Sequence, residues 1–277
     1  NGIKIAVSDS GTQESHEDLQ SNILTSSSRN YLLAANNTPG LESPWLGSST
    51  PSTTDIFNDE TLAHGTAVAG IIGAIASNGK GGRGVAPKAT LIPFRFLGTA
   101  ITIDKLVDQA KGDFDVFNYS YVSYPCLYHT INPSLKDQLI LGATPSDGSR
   151  GAVYVKAAGN EFISSLSDCG GSSSFSYLGN ANFDGINSQN EVIVVGALRA
   201  SGVRASYSSP GANLWVSAPG GQFGTTSPAI VTTDYEECNY GFSRTNNTAN
   251  TFESGNNSLN SQCKYTSTMN GTSSATP

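Results

Sequence analysis

The chain has 277 residues, of which 37% are hydrophobic and 13% charged, and its formal net charge is −7. This apolar fraction supports a sizeable core and excludes wholesale disorder, and one large α/β domain can contain the whole length. The excess of Asp and Glu (22) over Lys and Arg (15) argues against nucleic acid or an anionic membrane as partner, and the apolar runs are too short for a transmembrane helix.

The N-terminal quarter predicts a strand and then a polar region. The apolar run Ile3–Val7 closes with Asp9-Ser10-Gly11, which is typical of a strand that ends in a turn. Residues 20–60 are mostly polar and predict surface loops around one strand near Tyr31–Ala34. The chain has no initiator Met and no signal-peptide pattern, so we expect a processed or trimmed piece of a longer protein.

A helix is predicted from His64 up to a glycine-rich loop, Asn78–Gly84. Its apolar positions recur at helical spacing: Val68, Ile71, Ile72 and Ile75. After this loop, apolar strands alternate with helical segments. The predicted elements are a strand at Thr90–Leu97, a helix at Ile103–Lys111, a strand at Asp115–Tyr121, a helix at Ser134–Leu141 and a strand at Ala152–Ala157.

This alternation favours an α/β fold, a doubly wound, mostly parallel sheet with helices on both faces. Functional groups gather at the carboxyl ends of the strands in such sheets. The second half adds three predicted strands: Val192–Leu198, Leu214–Ala218 and Ile230–Thr233. Residues 235–268 are polar and bracketed by Cys238 and Cys263, so they predict an inserted excursion within one domain, 1–277.

Four cysteines leave two readings open. They are compatible with two disulfides in any of three pairings, or with four buried free thiols. Zinc is not expected, because no two cysteines stand in C-x2-C spacing.

Few residues can supply the base of a hydrolytic site. Amide hydrolysis needs an activated nucleophile, a base and a group that orients the base. Of the three histidines, His64 lies at the start of a helix beside small residues, whereas His16 and His129 are expected to be surface or packing residues. Asp9, at the carboxyl end of a strand, could reach a histidine on the neighbouring helix or could make an ordinary turn before Gly11.

Small residues flank Ser273 in the segment Asn270–Pro277, which suits a tight loop-to-helix turn that exposes a hydroxyl. The chain here resembles the subtilisin-like serine proteases. The matching motifs are Asp9-Ser10-Gly11, His64-Gly65-Thr66 and Gly271-Thr272-Ser273-x-Ala275-x-Pro277, in the family's order Asp, His, Ser. A further match, Ala157-Ala158-Gly159-Asn160, carries the family's oxyanion-hole Asn.

The resemblance implies a serine endopeptidase with a catalytic triad and an exported location. Ser273 would attack the scissile carbonyl, His64 would transfer the proton, Asp9 would orient the imidazole, and Asn160 would donate to the oxyanion. It also implies polypeptide substrates and a propeptide as partners. The residues expected to contact the substrate are Ser120, Tyr121, Val122, Ala158 and Gly159.

Some details are similar to the kexin/furin-like branch, namely Ile230–Asp234 followed by Cys238 and the loop length between His64 and Val85. The acidic cleft of that branch has fewer acidic residues in this sequence, because Ser10 occupies the position of its second Asp and Pro125-Cys126 occupy positions where acids are expected. Only Asp184 resembles the acid at the bottom of that branch's substrate pocket.

The resemblance also implies a structural calcium site, since calcium prefers six to eight hard oxygen ligands. The expected ligands are the Asp18 carboxylate, the Asn78 side chain and three backbone carbonyls, those of Ile75, Lys80 and Gly82. An ordinary glycine-rich helix exit with a surface Asp is the alternative. The fold of the family further makes Cys126–Cys169 and Cys238–Cys263 the expected disulfides.

Other classes fit less well. An α/β-hydrolase needs G-x-S-x-G and the order Ser, Asp, His, and a metal hydrolase around His64 needs further histidine ligands. A catalytically inactive binding or scaffold module stays an alternative. Because Ser273 lies four residues from Pro277, we expect the helix that follows the nucleophile in this family to lie beyond the sequence, and likewise a strand before Asp9. We therefore expect this segment alone to be inactive.

Overall fold

The computed structural model of the chain describes residues 2–31, 59–97, 102–111, 113–123, 127–146, 148, 150–162, 164–165, 176–224 and 227–277. The chain forms two compact units. The first comprises Asn1–Ile101 and Val231–Met269, and the second comprises Thr102–Ile230 and Asn270–Pro277. None of the helices in these described ranges is both long enough and apolar enough to cross a membrane.

The elements are numbered in chain order. The strands are β1 Lys4–Asp9, β2 Arg29–Asn30, β3 Thr90–Arg95, β4 Val116–Tyr119, β5 Val153–Ala157, β6 Ser164–Ser165, β7 Ser176–Tyr177, β8 Val192–Leu198, β9 Leu214–Pro219, β10 Ile230–Thr233 and β11 Tyr265–Met269. The α-helices are α1 Asp59–Gly73, α2 Ile103–Gln109, α3 Pro133–Ala143 and α4 Thr272–Ala275, and short 3-10 helices cover Gln20–Asn22, Thr25–Ser27 and Ala181–Phe183.

The first unit contains a parallel sheet with the strand order β2-β3-β1. Lys4 pairs with Thr90 and Asp9 with Arg95, so Asp9 lies at the carboxyl end of β1. Helix α1 packs closely on this sheet, because a Cβ added at Gly73 would meet the Leu91 side chain at 3.0 Å. The sheet therefore places a carboxylate beside the face of a tightly packed helix.

The second unit contains a parallel sheet with the order β4-β5-β8-β9. Aromatic side chains stack across its first two strands, with the Phe117 and Tyr154 ring centroids 4.8 Å apart. Helix α3 begins with Pro133, and the Asn132 side chain caps it by accepting a hydrogen bond from the Ser134 N–H. Parallel strands that alternate with helices confirm the predicted α/β class.

Several predicted boundaries differ by a few residues, and two of the differences concern the helix from His64 and the strand near Tyr31. Helix α1 begins at Asp59 and ends at Gly73, so Ile75 lies outside it. The Ile75 N–H donates to the Asp18 carbonyl at 3.0 Å instead of continuing the helix, and Val85 N–H caps the Ile71 carbonyl. Strand β2 ends at Asn30, one residue before the predicted Tyr31–Ala34 strand; Tyr31 is buried in a turn, and residues 32–34 lie outside the described ranges.

The segment 235–268 is closed by a Cys238–Cys263 disulfide, which confirms that predicted pairing. The predicted Cys126–Cys169 bridge falls on residues outside the described ranges. At the end of the segment, β11 pairs with β10 in a separate two-stranded sheet. Ile230–Thr233 is thus a strand, as predicted, but it does not belong to either parallel sheet.

A buried carboxylate organises this segment. Glu253 has no exposed surface and accepts hydrogen bonds from the hydroxyls of Ser243, Thr266 and Ser267 and from the Ser267 N–H, at 2.6 to 3.0 Å. Hydrogen bonds of this kind offset the cost of burying a charge. Polar residues therefore replace an apolar core here.

A second buried carboxylate, Asp234, accepts hydrogen bonds from the N–H groups of Tyr235, Phe242 and Ser243. Burial raises the pKa of Asp234 to about 7, even though these donors oppose the shift. Ser243 links the two acids, because its hydroxyl donates to Glu253.

The raised pKa predicts a pH-dependent stability. The unfolded chain releases the Asp234 proton near pH 3.8, whereas the folded protein keeps it up to about pH 7. The free energy of unfolding is therefore highest below pH 3.8 as far as this group is concerned. It falls by about 1.4 kcal/mol per pH unit as the pH rises to about 7, and this group causes no further change above that pH. In urea unfolding as a function of pH, Asp234→Asn should lack this slope, whereas the exposed Asp137→Asn should retain it. An unaltered slope in Asp234→Asn would contradict the prediction.

Candidate active site

Asp9 and His64 form a hydrogen-bonded pair in the first unit. His64 Nδ1 lies 2.7 Å from Asp9 Oδ1, and the Asp9 side chain is fully buried whereas that of His64 is 22% exposed. Asp9 Oδ1 also accepts the Ser10 N–H at 2.7 Å. The alternative of an Asp that only makes a turn is therefore wrong, because the carboxylate does reach the histidine.

The electrostatics of this pair favour a charged imidazole. Burial alone would lower the pKa of His64, but the charge of Asp9 and the hydrogen bond to it more than offset burial, so the pKa is raised. A histidine held in this way can accept a proton and can be stabilised in the protonated form.

Glycine explains how the helix comes so close to β1. A Cβ added at Gly65 would lie 2.0 Å from the Gly11 carbonyl oxygen and 3.0 Å from Asp9 Cβ. The Gly65 N–H donates to Ser10 Oγ at 2.9 Å, and Thr66 Oγ1 accepts the Gln13 N–H. These hydrogen bonds connect the segment that follows Asp9 to the segment that follows His64.

Ser273 lies in α4, in the second unit, directly after a glycine turn. Gly271 has φ 120°, a conformation that residues with a side chain rarely adopt. Ser273 Oγ donates to the Ser120 carbonyl at 2.9 Å, and Ser120 Oγ donates back to the Ser273 carbonyl at 3.0 Å. The predicted nucleophile and the predicted substrate strand are therefore in direct contact.

Asn160 is held beside the same turn. Its Oδ1 accepts the Thr272 N–H at 2.8 Å and the Thr272 hydroxyl at 3.0 Å. Because Oδ1 is used in this way, the amide Nδ2 is the atom oriented to donate. A Cβ added at Gly271 would lie 3.3 Å from this Nδ2, so the amide group borders the turn that carries Ser273.

The predicted substrate-contacting residues lie at the ends of β4 and β5. Ser120 and Tyr121 are buried and Val122 is half-buried. Ala158 and Gly159 are also buried, where the Ala158 N–H donates to the Val195 carbonyl and the Gly159 carbonyl accepts the Ser209 N–H. These two segments leave the carboxyl ends of adjacent parallel strands, which is where the fold class places function.

Asp184 is paired with a cation that the sequence reasoning missed. Lys156 Nζ lies 3.1 Å from Asp184 Oδ2, and both side chains are at most 1% exposed. Burial would raise the pKa of Asp184, but the charge of Lys156 and backbone donors outweigh burial and lower it. Burial lowers the pKa of Lys156, and the neighbouring carboxylate opposes that shift.

Asp184 also lines a cavity of about 350 Å³ within the second unit. The apolar residues that line it are Ile103, Leu106, Ile131, Pro133, Leu135 and Ile186. Ser123 and the exposed His129 contribute to the polar part of the wall. Thr130, Asn132 and Gly185 complete the lining, so the wall combines apolar side chains with several polar groups.

The residues predicted to bind calcium cluster in the first unit. Asp18 is fully buried; its Oδ1 accepts the Asn78 amide at 2.7 Å, and its Oδ2 has no hydrogen-bond partner in the described structure. Gly81 leaves room there, because a Cβ would lie 2.6 Å from Asp18 Oδ2. An orphaned carboxylate oxygen beside a glycine-rich loop fits a hard cation.

Other contacts limit which groups could serve there. Asn78 presents its amide nitrogen, not its oxygen, to Asp18, and its oxygen accepts the Lys80 N–H at 3.0 Å. The Lys80 ammonium pairs with Glu17. His16 is a fully buried packing residue, as one of the two expectations had it, since its Nδ1 accepts the Asp18 N–H.

Two positioning residues escaped the sequence reasoning. The Tyr207 hydroxyl accepts the Gly271 N–H at 2.8 Å and so supports the turn before Ser273. Thr272 bonds Asn160 and also accepts the Gly159 N–H at 3.2 Å. Thr272 lies inside a recognisable motif and could have been singled out, whereas nothing in the local sequence marks Tyr207.

The family model described as the Subtilase family matches residues 1–277. The chain therefore belongs to the subtilase family.

Individual relatives agree with this assignment. The chain is 38% identical over 292 residues to the extracellular serine protease of Aeromonas sobria, covering 100% of this chain and 43% of that protein. It is 32% identical over 233 residues to subtilisin E of Bacillus subtilis, covering 82% and 49%. A crystal structure of the A. sobria serine protease in complex with a chaperone matches with a TM-score of 0.80 and 32% identity, over 99% of this chain and 45% of that one. The chain thus spans less than half the length of these relatives.

Proposed function

We propose that this chain carries the catalytic machinery of a secreted serine endopeptidase, which hydrolyses peptide bonds through an acyl-enzyme. The observation that carries the proposal is the 2.7 Å hydrogen bond between buried Asp9 and His64 in a chain of the subtilase family. Polypeptides are the proposed substrates.

Each proposed role follows from the position of a named atom. Because His64 Nδ1 is engaged by Asp9, Nε2 is the nitrogen that would take the proton of Ser273 and return it to the leaving amine. Asp9 would hold this tautomer and stabilise the imidazolium. To attack, Ser273 Oγ must give up its hydrogen bond to the Ser120 carbonyl.

The oxyanion would be stabilised by donors of the second unit. Asn160 Nδ2 is the proposed side-chain donor, because Thr272 engages the Asn160 oxygen, and the Ser273 N–H is the proposed second donor. Such preorganised donors act on charge that develops only in the transition state.

Site-directed labelling tests the proposal. A fluorophosphonate should modify the full-length wild-type enzyme at Ser273, located by peptide mass spectrometry, and labelling should abolish peptide cleavage. Modification of a different serine, with cleavage retained, would refute the assignment.

We also propose a propeptide as a partner and an extracytoplasmic location. The relative from A. sobria is an extracellular protease, and a serine protease of that organism forms a complex with a chaperone. Membership of the kexin/furin-like branch is a finer proposal, which rests on Ile230–Asp234 followed by Cys238. The paired-basic preference of that branch would require an acidic pocket; Asp184 is the acid to which the resemblance points, but its ion pair with Lys156 argues against that preference in this chain.

A structural calcium ion is the proposed cofactor. Asp18 would supply a carboxylate, and the carbonyls of Ile75, Lys80 and Gly82 would supply further oxygens; Asn78 would add its oxygen by giving up the hydrogen bond from the Lys80 N–H. The ion would stabilise the loop after α1 by compensating the orphaned Asp18 Oδ2.

Chelation tests this site without reference to activity. A chelator should lower the thermal midpoint of the wild-type protein by several degrees, because bound metal stabilises only the folded state. Asp18→Asn should start from a lower midpoint in calcium and respond little to the chelator. A wild-type midpoint that stays unchanged after confirmed metal removal would argue against the site.

A further inference from the structure

Lys156 is an unusual residue for its position. It lies in β5 between Val155 and Ala157, three residues before Gly159, and none of its surface is exposed. A buried ammonium is retained only where a charge and hydrogen bonds compensate its lost hydration. The contacts of Lys156 therefore indicate what it is there to do.

These contacts are with the predicted substrate strand and with Asp184. Lys156 Nζ donates to the Tyr121 carbonyl at 2.5 Å, lies 4.8 Å from the centroid of the Tyr121 ring, and pairs with Asp184 at 3.1 Å. The Asp184 carboxylate also accepts the Ser123 N–H on Oδ2 and the Ile186 N–H on Oδ1, each at 2.9 Å. The carboxylate is thus engaged from three sides within the protein.

A continuous set of contacts connects this ion pair to the proposed nucleophile. Ser273 and Ser120 exchange hydrogen bonds, Tyr121 binds Lys156, and Ser123 binds Asp184, which lines the 350 Å³ cavity. All of these residues belong to the second unit. A peptide that lies along residues 120–122 would therefore run beside a pocket whose acid is already paired.

We propose that Lys156 determines specificity: as the internal counter-ion of Asp184, it withdraws that carboxylate from substrate recognition, so that the cavity accepts an uncharged, apolar side chain of the peptide. This inference rests on the proposed peptidase function. An Arg or Lys side chain entering the cavity would lose its hydration and meet an acid whose charge is cancelled 3.1 Å away. An apolar side chain gains from burial against the six apolar residues of the wall.

Glu161 is the second acid that acts on Lys156. Its Oε2 accepts the Asn160 N–H at 2.7 Å, and burial raises its pKa. Glu161 is not among the residues that line the cavity, so Glu161→Gln tests whether it contributes to the substrate profile separately from Asp184.

The test applies a library of fluorogenic peptides, varied at each position around the scissile bond, to the full-length enzyme and its variants. The wild-type protein should prefer Leu or Phe at the position that faces the cavity. Lys156→Met uncovers Asp184 and should raise the Arg-to-Leu ratio of kcat/KM at that position by about 10-fold or more. Assays at about pH 9 keep the unpaired carboxylate ionised despite its burial.

A double variant guards against misfolding, because Lys156→Met alone leaves a buried charge without its partner. Lys156→Met with Asp184→Asn has no unpaired charge and should return to the wild-type preference. Lys136→Met removes an exposed lysine of the same unit and should leave the profile unchanged.

Two results would overturn the proposal. One is a Lys156→Met profile identical to that of the wild type; the other is a wild-type preference for Arg or Lys at the position that faces the cavity, whichever variant removes it. Fluorophosphonate labelling of Ser273, which does not depend on the charge of the cavity, reports the proposed peptidase function separately.

Discussion

Replacement of Ser273 by alanine is expected to lower kcat by about 10⁶-fold, the loss that removal of the corresponding serine causes in subtilisin. In the proposed mechanism the variant lacks the oxygen that forms the acyl-enzyme, so neither His64 nor Asn160 would contribute to the covalent step. Steady-state cleavage of a fluorogenic peptide and fluorophosphonate labelling would measure both consequences. Ser273→Ala should retain only the slow hydrolysis that substrate binding alone supports.

The neighbouring Ser274 offers a matched control. It is also buried, and its hydroxyl has no hydrogen-bond partner in the described structure, so Ser274→Ala should keep both labelling and turnover. Loss of activity in Ser273→Ala with an unchanged thermal midpoint would exclude misfolding as the cause. Labelling that survived in Ser273→Ala but disappeared in another serine variant would reassign the nucleophile.

Asp9→Asn should produce the second largest effect, a fall in kcat of about 10⁴-fold. Asp9 accepts hydrogen bonds from both His64 and Ser10 through the same oxygen. An amide at this place can present its NH₂ group to His64 Nδ1 and thereby stabilise the wrong tautomer. The imidazole would then lack its basic nitrogen on the side where Ser273 must be activated.

The same substitution should also shift the pH profile. Asp9 raises the pKa of His64 against the effect of burial, so without its charge the pKa must fall. Because the base works only when unprotonated, the acid limb of kcat/KM should move to lower pH in Asp9→Asn. The control substitution Asp137→Asn, at an exposed site, should change neither kcat nor the pH of the acid limb of kcat/KM. An acid limb that moved to higher pH would contradict the proposed coupling.

The local patterns predicted most of the strands and helices. Val192–Leu198 and Ile230–Thr233 have the predicted bounds, and most of the others differ by a few residues, because burial of an apolar strand is visible in its own composition. The helix predicted from His64 fails at Ile75 for a tertiary reason. The Ile75 N–H finds its acceptor in Asp18, 57 positions earlier, which no helical periodicity can reveal.

The polar segment 235–268 was harder to interpret. Its composition suggested an inserted excursion; in the structure it includes most of β11 and is organised around the buried carboxylate Glu253, with buried Asp234 directly before it. Hydrophobic patterning cannot predict such an interior, because the hydrogen-bond donors to the buried carboxylates come from residues scattered along the segment. Only the disulfide that closes it was expected.

For the proposed active site, the sequence alone determined which side chains to consider, because Asp9, His64, Asn160 and Ser273 each lie in a short motif with small neighbours that the chemistry requires. Whether a given acid is available for a substrate was decided only by the tertiary structure. Asp184 and Lys156 are 28 positions apart, and they meet because β5 carries the lysine into the interior while a separate loop brings the acid to it. Motifs record local geometry, whereas the charge that a pocket presents depends on every group that folding brings within a few ångströms.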